Sequence, residues 1–225
     1  MEDDQMPFGD AEFADNAEQR CACILLLDTS ASMQGDAIDQ LNKGLAAFGS
    51  ELAEDRLAAK RVDIAVLTFG GKVETACQFG AVETFQPPLL AAKGGTPLGE
   101  AVERGLDLLE ARKSQYRENG IPYFRPWVFL ITDGAPTDKW ERAARRIAEG
   151  EHRKQFAFYA VGVDQADMDM LGELSVRTPL RLNGLAFAEL FRWLSSSLSS
   201  VSRSNPGEAV PLENPAAPGG WATVD

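Results

Sequence analysis

Three stretches of this 225-residue chain are apolar almost without interruption: residues 22–27, 127–132 and 156–163. A strand with one wet face alternates apolar and polar residues, whereas a strand without alternation is covered on both faces. Runs this short suit central strands of a parallel sheet better than buried helices, which need more length. Whatever the chain folds into must therefore supply helices to both sides of that sheet.

Helical spacing appears where this requires it. Ile38, Leu41, Leu45, Phe48 and Leu52 fall on one face of a helix predicted over about 36–57, and Pro97 opens another, to about 117, that turns Leu98, Val102, Leu106 and Leu109 inward. Further helices are predicted over about 137–153, 167–174 and 185–202, with a brief strand over 179–182. Val62, Ile64, Val66 and residues 67–69 read as a second strand. Gly70-Gly71 then marks a tight turn into a weaker strand over 72–79, an antiparallel edge. The expected fold class is α/β: a doubly wound, Rossmann-like, mostly parallel six-stranded sheet of order 3-2-1-4-5-6, with one antiparallel edge strand and helices on both faces.

In that order the first and fourth strands are neighbours whose connections leave in opposite directions, which opens a cleft outside their carboxyl ends. Asp28 ends the first strand, within Asp28-Thr29-Ser30-Ala31-Ser32, and Asp133 ends the fourth, within Thr132-Asp133-Gly134. Gly94-Gly95-Thr96-Pro97-Leu98 supplies a further hydroxyl. Asp28, Ser30, Ser32, Thr96 and Asp133 together offer two carboxylates and three hydroxyls. These are hard oxygen ligands suited to Mg²⁺, with Mn²⁺ and Ca²⁺ as alternatives.

The formal net charge of −12 argues against a nucleic-acid partner, since phosphate binding needs clustered Lys and Arg. Seven acids and one Arg within residues 1–20 predict a disordered acidic arm over 1–19, followed by one folded domain over 20–202. The Pro- and Gly-rich stretch over 203–225 is expected to be a flexible tail. No signal-peptide pattern opens the sequence and no run approaches the roughly 20 apolar residues of a membrane span, so a cytoplasmic location is expected. Cys21, Cys23 and Cys77 fit buried thiols in a reducing compartment. With one His and no second Cys pair, a zinc site is not expected.

The pattern Asp-x-Ser-x-Ser, a separate Thr and a separate Asp resembles the von Willebrand factor A domain and its metal-ion-dependent adhesion site. Asp28, Ser30, Ser32, Thr96 and Asp133 match its positions, and the resemblance spans about residues 20–202. It implies that both serines would coordinate the ion directly, that Thr96 and the acids would do so directly or through water, and that a partner's Asp or Glu would complete the shell. Leu-Leu-Asp-Thr-Ser-Ala-Ser-Met, Gly-Gly-Thr-Pro-Leu-Gly and Ile-Thr-Asp-Gly-Ala-Pro-Thr-Asp further resemble bacterial tellurium-resistance-associated (TerY-like) proteins. That implies a stress-response module with a Ser/Thr kinase and a PP2C-type phosphatase. The zinc module of some relatives does not carry over, because no Cys follows Cys77.

The rival chemistry is a metal-dependent phosphohydrolase with Asp28 as phosphoryl acceptor. Ser30 stands where such an enzyme places a general acid, and a hydroxyl has no useful acidity near neutral pH. No P-loop is present and His152 lies in a charged helix end. The expected function is therefore non-enzymatic: an adaptor that binds a protein partner through a divalent ion, with a scaffold holding a purely structural ion as a further alternative. Asp36 is expected to cap a helix, and Asp138 and Asp164 to be loop or cap acids. His152 should be solvated, and Ser195-Ser196-Ser197, Ser199 and Ser200 should form a polar helix face. Trp127 and Trp193 are expected to pack in the core or at an interface.

Overall fold

A computed structural model gives the structure of the protein and describes residue 13 and residues 15–224. The strands are β1 (Cys21–Asp28), β2 (Val62–Gly70), β3 (Lys72–Ala81), β4 (Trp127–Thr132), β5 (Ala157–Gly162), β6 (Leu180–Leu182) and β7 (Ala222–Thr223). The helices are α1 (Asp36–Glu54), α2 (Arg56–Arg61), α3 (Leu98–Glu118), α4 (Glu141–His152), α5 (Met168–Leu174) and α6 (Phe187–Arg203). One sheet runs β3-β2-β1-β4-β5-β6-β7; β3 and β7 are antiparallel to their neighbours and the rest are parallel.

The doubly wound α/β sheet is present as expected, and its unbroken apolar strands serve two cores. In β1, Leu25 and Leu27 pack with α1 and α6, whereas Ile24 and Leu26 pack with α3 and α4. Successive side chains point to opposite faces, so each face needs its own apolar set. Cys21 and Cys23 are buried free thiols on the first of these faces.

The sheet has seven strands, not six, and the segment after Arg203 is not a free end. Trp221 is 5% exposed and stands 5.6 Å from the Trp193 ring, whose indole N–H donates to the Glu213 carbonyl at 2.8 Å. Val210 and Leu212 pack on the same core. Composition pointed to a loose tail, but one buried indole removes enough apolar surface from water to order a segment of turns. At the other end, most of the expected acidic arm, residues 1–12 and 14, lies outside the described residues. The folded part nevertheless begins before residue 20: Phe13 is buried with its ring edge-on to Tyr116 at 5.8 Å.

Three local expectations change. Gly35, at φ 92°, precedes α1 where Asp36 was expected to cap it; Asp36 is instead in the first turn, where the helix dipole favours an acid. The helix expected over 36–57 breaks at Asp55, whose carboxylate accepts the Leu57 and Ala58 amides at 3.0 and 3.2 Å and starts α2. Ser195 and Ser197 are buried rather than on a wet face, because α6 lies along α1 and Ser195 donates to Glu51 across that contact. Trp127 and Trp193 are in the core, stacked at 6.4 Å, and His152 is exposed.

Candidate metal centre

The pairing of β1 with β4 brings the two acids together. Leu27 lies beside Ile131, so the next residues of each strand, Asp28 and Thr132, emerge side by side at the carboxyl edge of the sheet. Asp28 is fully buried: one carboxylate oxygen accepts the Ser30 amide at 2.7 Å and the other accepts the Thr132 hydroxyl. This folds the chain back after Asp28, as expected for an Asp bonding the amide two residues on. Ser30 Oγ and Ser32 Oγ then stand 2.9 Å apart, and Ser32 Oγ donates to Asp133 Oδ1 at 2.7 Å.

Thr96 reaches the same point from the loop before α3 and is 5% exposed. The convergence is measured at Gly134, which has no side chain. A Cβ there would lie 3.2 Å from Thr96 Oγ1, 3.6 Å from Ser32 Oγ and 3.9 Å from Asp28 Oδ2. The five residues singled out in the sequence are thus brought to one place, around a cradle about the size of a methyl group.

Glycines hold the Thr96 loop in position. Gly94, at φ 71°, lies so close to the β2–β3 turn that a Cβ on it would meet Gly71 Cα at 2.5 Å. Lys93 N donates to Thr29 O at 2.7 Å, Ala31 N to Gly94 O at 2.9 Å, and Gly71 N to Gly95 O at 2.7 Å. On the other side, Thr137 N donates to Thr96 O at 2.9 Å, and Asp138 accepts the Gly99 and Glu100 amides at 3.0 and 2.8 Å. Asp138 is therefore a cap acid, as expected, but it caps α3 from the loop after β4. That loop occupies residues 133–140, which is why α4 starts at Glu141 rather than near 137.

Both carboxylates of the site are shifted. Burial lifts the Asp28 carboxyl above its ordinary range; hydrogen bonds from Ser30 and Thr132 oppose this, and the Asp133 charge adds to it. Burial also lifts Asp133, against the Ser32 hydrogen bond and with help from the Asp164 charge. Among the described residues, no cluster of three or more His, Cys, Asp or Glu side chains could hold a metal; the oxygens gathered here are two carboxylates and three hydroxyls. Sequence reasoning did not single out Thr132 or Gly134, although the β1–β4 register already places Thr132 beside Asp28.

The von Willebrand factor type A domain matches residues 23–187. Among solved structures, the pilus adhesin SpaC from Lactobacillus rhamnosus GG superposes with a TM-score of 0.66 at 12% identity, over 83% of this chain and 31% of that one. A von Willebrand factor type A protein from Catenulispora acidiphila gives 0.59 at 16%, over 81% and 43%. Proximal thread matrix protein 1 from the mussel byssus gives 0.55 at 16%, over 82% and 49%. This chain spans less than half of each of these structures, and at such identity the likeness is one of fold. No curated protein matches the sequence. Two of the three neighbours are named as an adhesin and a matrix protein, and none is named as an enzyme. Among the described residues, no helix is long and apolar enough to cross a membrane. The family match covers most of the folded part and ends within α6: the chain belongs to the von Willebrand factor type A domain family.

Proposed function

We propose that the protein is a non-enzymatic adaptor that binds a protein partner through a divalent ion. Asp28, Ser30, Ser32, Thr96 and Asp133 would hold the ion, and a partner's Asp or Glu would complete its shell. The observation that carries this reading is the convergence of the five oxygen-bearing side chains around the Gly134 cradle. Adjacent ligands of an octahedral ion with bonds of about 2.1 Å stand about 2.9 Å apart. The Ser30–Ser32 and Ser32–Asp133 separations are 2.9 and 2.7 Å. These are also ordinary O–H···O hydrogen-bond lengths, so the spacing is compatible with a small octahedral ion such as Mg²⁺ or Mn²⁺ without selecting it.

The donor chemistry agrees. Three hydroxyls are neutral, so the two carboxylates only match the ion's charge, and an incoming carboxylate would still be attracted. A bound ion would also offset the desolvation that lifts both acids. Asp28 would serve mainly to orient the Ser30 turn through its amide contact, and Thr132 to hold the Asp28 carboxylate in place. Against phosphoryl transfer, a hydroxyl rather than an acid occupies position 30, and His152 lies at the far end of α4, beyond the opposite edge of the sheet. The buried free thiols suit a reducing cytoplasm. A stress-response setting with a kinase and a PP2C-type phosphatase rests on the three motif resemblances.

The test is Mn²⁺ titration calorimetry together with affinity capture from cell extract, with and without EDTA. Asp28→Ala and Asp28→Asn should remain folded by circular dichroism, lose the calorimetric signal and lose EDTA-sensitive capture. Equal capture in EDTA and in millimolar Mg²⁺ would sink the proposal.

A further inference from the structure

At the opposite pole from the metal centre, beneath the amino ends of β4 and β5, lies an open cleft of about 940 Å³. Six cations line it: Lys113 and Arg117 of α3, Arg125 before β4, Arg153 and Lys154 at the end of α4, and Arg177 after α5. Tyr123, Tyr159 and the nearly buried Trp127 also line it, with Arg177 over the Tyr159 ring at 5.1 Å. In a chain with a net charge of −12, such a concentration of positive charge needs an explanation.

Internal ion pairs account for only part of it. Glu110 takes Lys113 at 2.6 Å and Arg117 at 2.9 Å. Glu151, buried under the cleft, takes Arg125 at 2.5 Å and Arg177 at 2.7 Å, and also accepts the Phe158 amide at 2.7 Å. Two acids thus anchor four cations, while Arg153 and Lys154 are exposed with no acidic partner among the described residues. Glu208 is the remaining acid of the lining, so the cleft carries a surplus of three positive charges.

A helix carboxyl end favours one or two cations on its own account, which would explain Arg153. It does not explain Arg125, Arg177 and Arg117 arriving from three other elements. Nor does it explain Lys154, whose φ of 56° is in the left-handed region. Its amide donates to Glu151 O at 3.0 Å and the next amide to Gly150 O at 2.8 Å, the arrangement that ends a helix and that glycine enters without strain. A lysine standing there keeps a charge on the rim at a conformational cost.

We infer that this cleft binds an acidic, aromatic- or aliphatic-bearing segment of a protein partner, independently of the metal centre. The cations fall into three separate groups, two pinned by acids and one unpaired, which suits several carboxylates spaced along a peptide better than one compact phosphate. The half-buried Tyr123 and Tyr159 offer apolar contact to the peptide's other side chains. The chain's net charge of −12 disfavours a long polyanion such as nucleic acid more than a short peptide.

The experiment is fluorescence anisotropy of the full chain in EDTA. The probe is a labelled synthetic peptide that alternates Glu with Leu and carries one Trp; the control replaces each Glu with Lys. The Glu peptide should bind and weaken with added salt, and the Lys peptide should not bind. Arg153→Glu with Lys154→Glu should weaken binding by about tenfold or more, equivalent to about 1.4 kcal/mol, while circular dichroism stays unchanged. Asp28→Ala should leave binding intact, so failure here is separable from failure of the metal-centre reading. Equal binding of the Lys peptide, no effect of the double reversal, loss with Asp28→Ala, or displacement by millimolar tripolyphosphate as effective as by unlabelled Glu peptide would each overturn the inference.

Discussion

Gly134 is the residue at which the candidate centre is most sensitive to one added carbon. A methyl group there would occupy the cradle between Thr96, Ser32 and Asp28 without meeting backbone. Gly134→Ala should therefore remove Mn²⁺ binding in calorimetry while shifting urea-unfolding stability by no more than about 1 kcal/mol. The five oxygen-bearing positions were legible in the sequence because each stands at a strand end or in a glycine-marked loop. Thr132 and Gly134 were not, for different reasons. Thr132 matters through a cross-strand neighbour that only the register reveals, and Gly134 matters through what it lacks. Asp138 was legible as a cap, but the helix it caps belongs to another part of the chain.

At the scale of elements, periodicity located the helices well and erred where a side chain intervenes. The apolar spacing of α1 continues past Glu54, yet Asp55 offers the backbone a competing partner and starts a new helix. Burial resists ionisation of Asp55, but the Ala58 and Leu57 amides, Ser199 and Arg203 outweigh it and hold its carboxyl below the ordinary range. A depressed folded-state pKa gives stability that is present above the unfolded value of about 3.9 and lost as pH falls through the folded value. Asp55→Ala should thus cost about 1 kcal/mol near pH 7, and the difference from wild type should shrink as urea unfolding is repeated at falling pH through the carboxylate range. A constant difference across that range would refute the assignment. A second element-level surprise is Asp63, a charge within an apolar strand. It is buried but held by Arg112 at 2.7 Å, with Tyr116 donating to the same oxygen and Arg20 nearby at 3.6 Å. A hydropathy pattern cannot foresee such an acid, because its partners come from α3 and from the residue before β1.

For the whole molecule, the fold class was readable from unbroken strands and the alternation of elements, whereas the closure of the sheet was not. The last strand has two residues, too few for any periodic signal, and its anchor is a single Trp among Pro and Gly. Trp221→Ala should destabilise the entire domain by about 3 kcal/mol, seen as one cooperative urea transition moved to lower midpoint. An unchanged midpoint would mean that the tail contributes nothing to the core. The sheet's two borders are consequently unequal: two residues of β7 at one side and ten residues of β3 at the other. A foreign strand seeking main-chain partners has a usable template only along β3. There the pairing with β2 shifts register on both sides of Val66, which bends the border, and Lys72 and Glu74 stand charged at its start. Both borders thus discourage the sheet from growing into a neighbouring molecule.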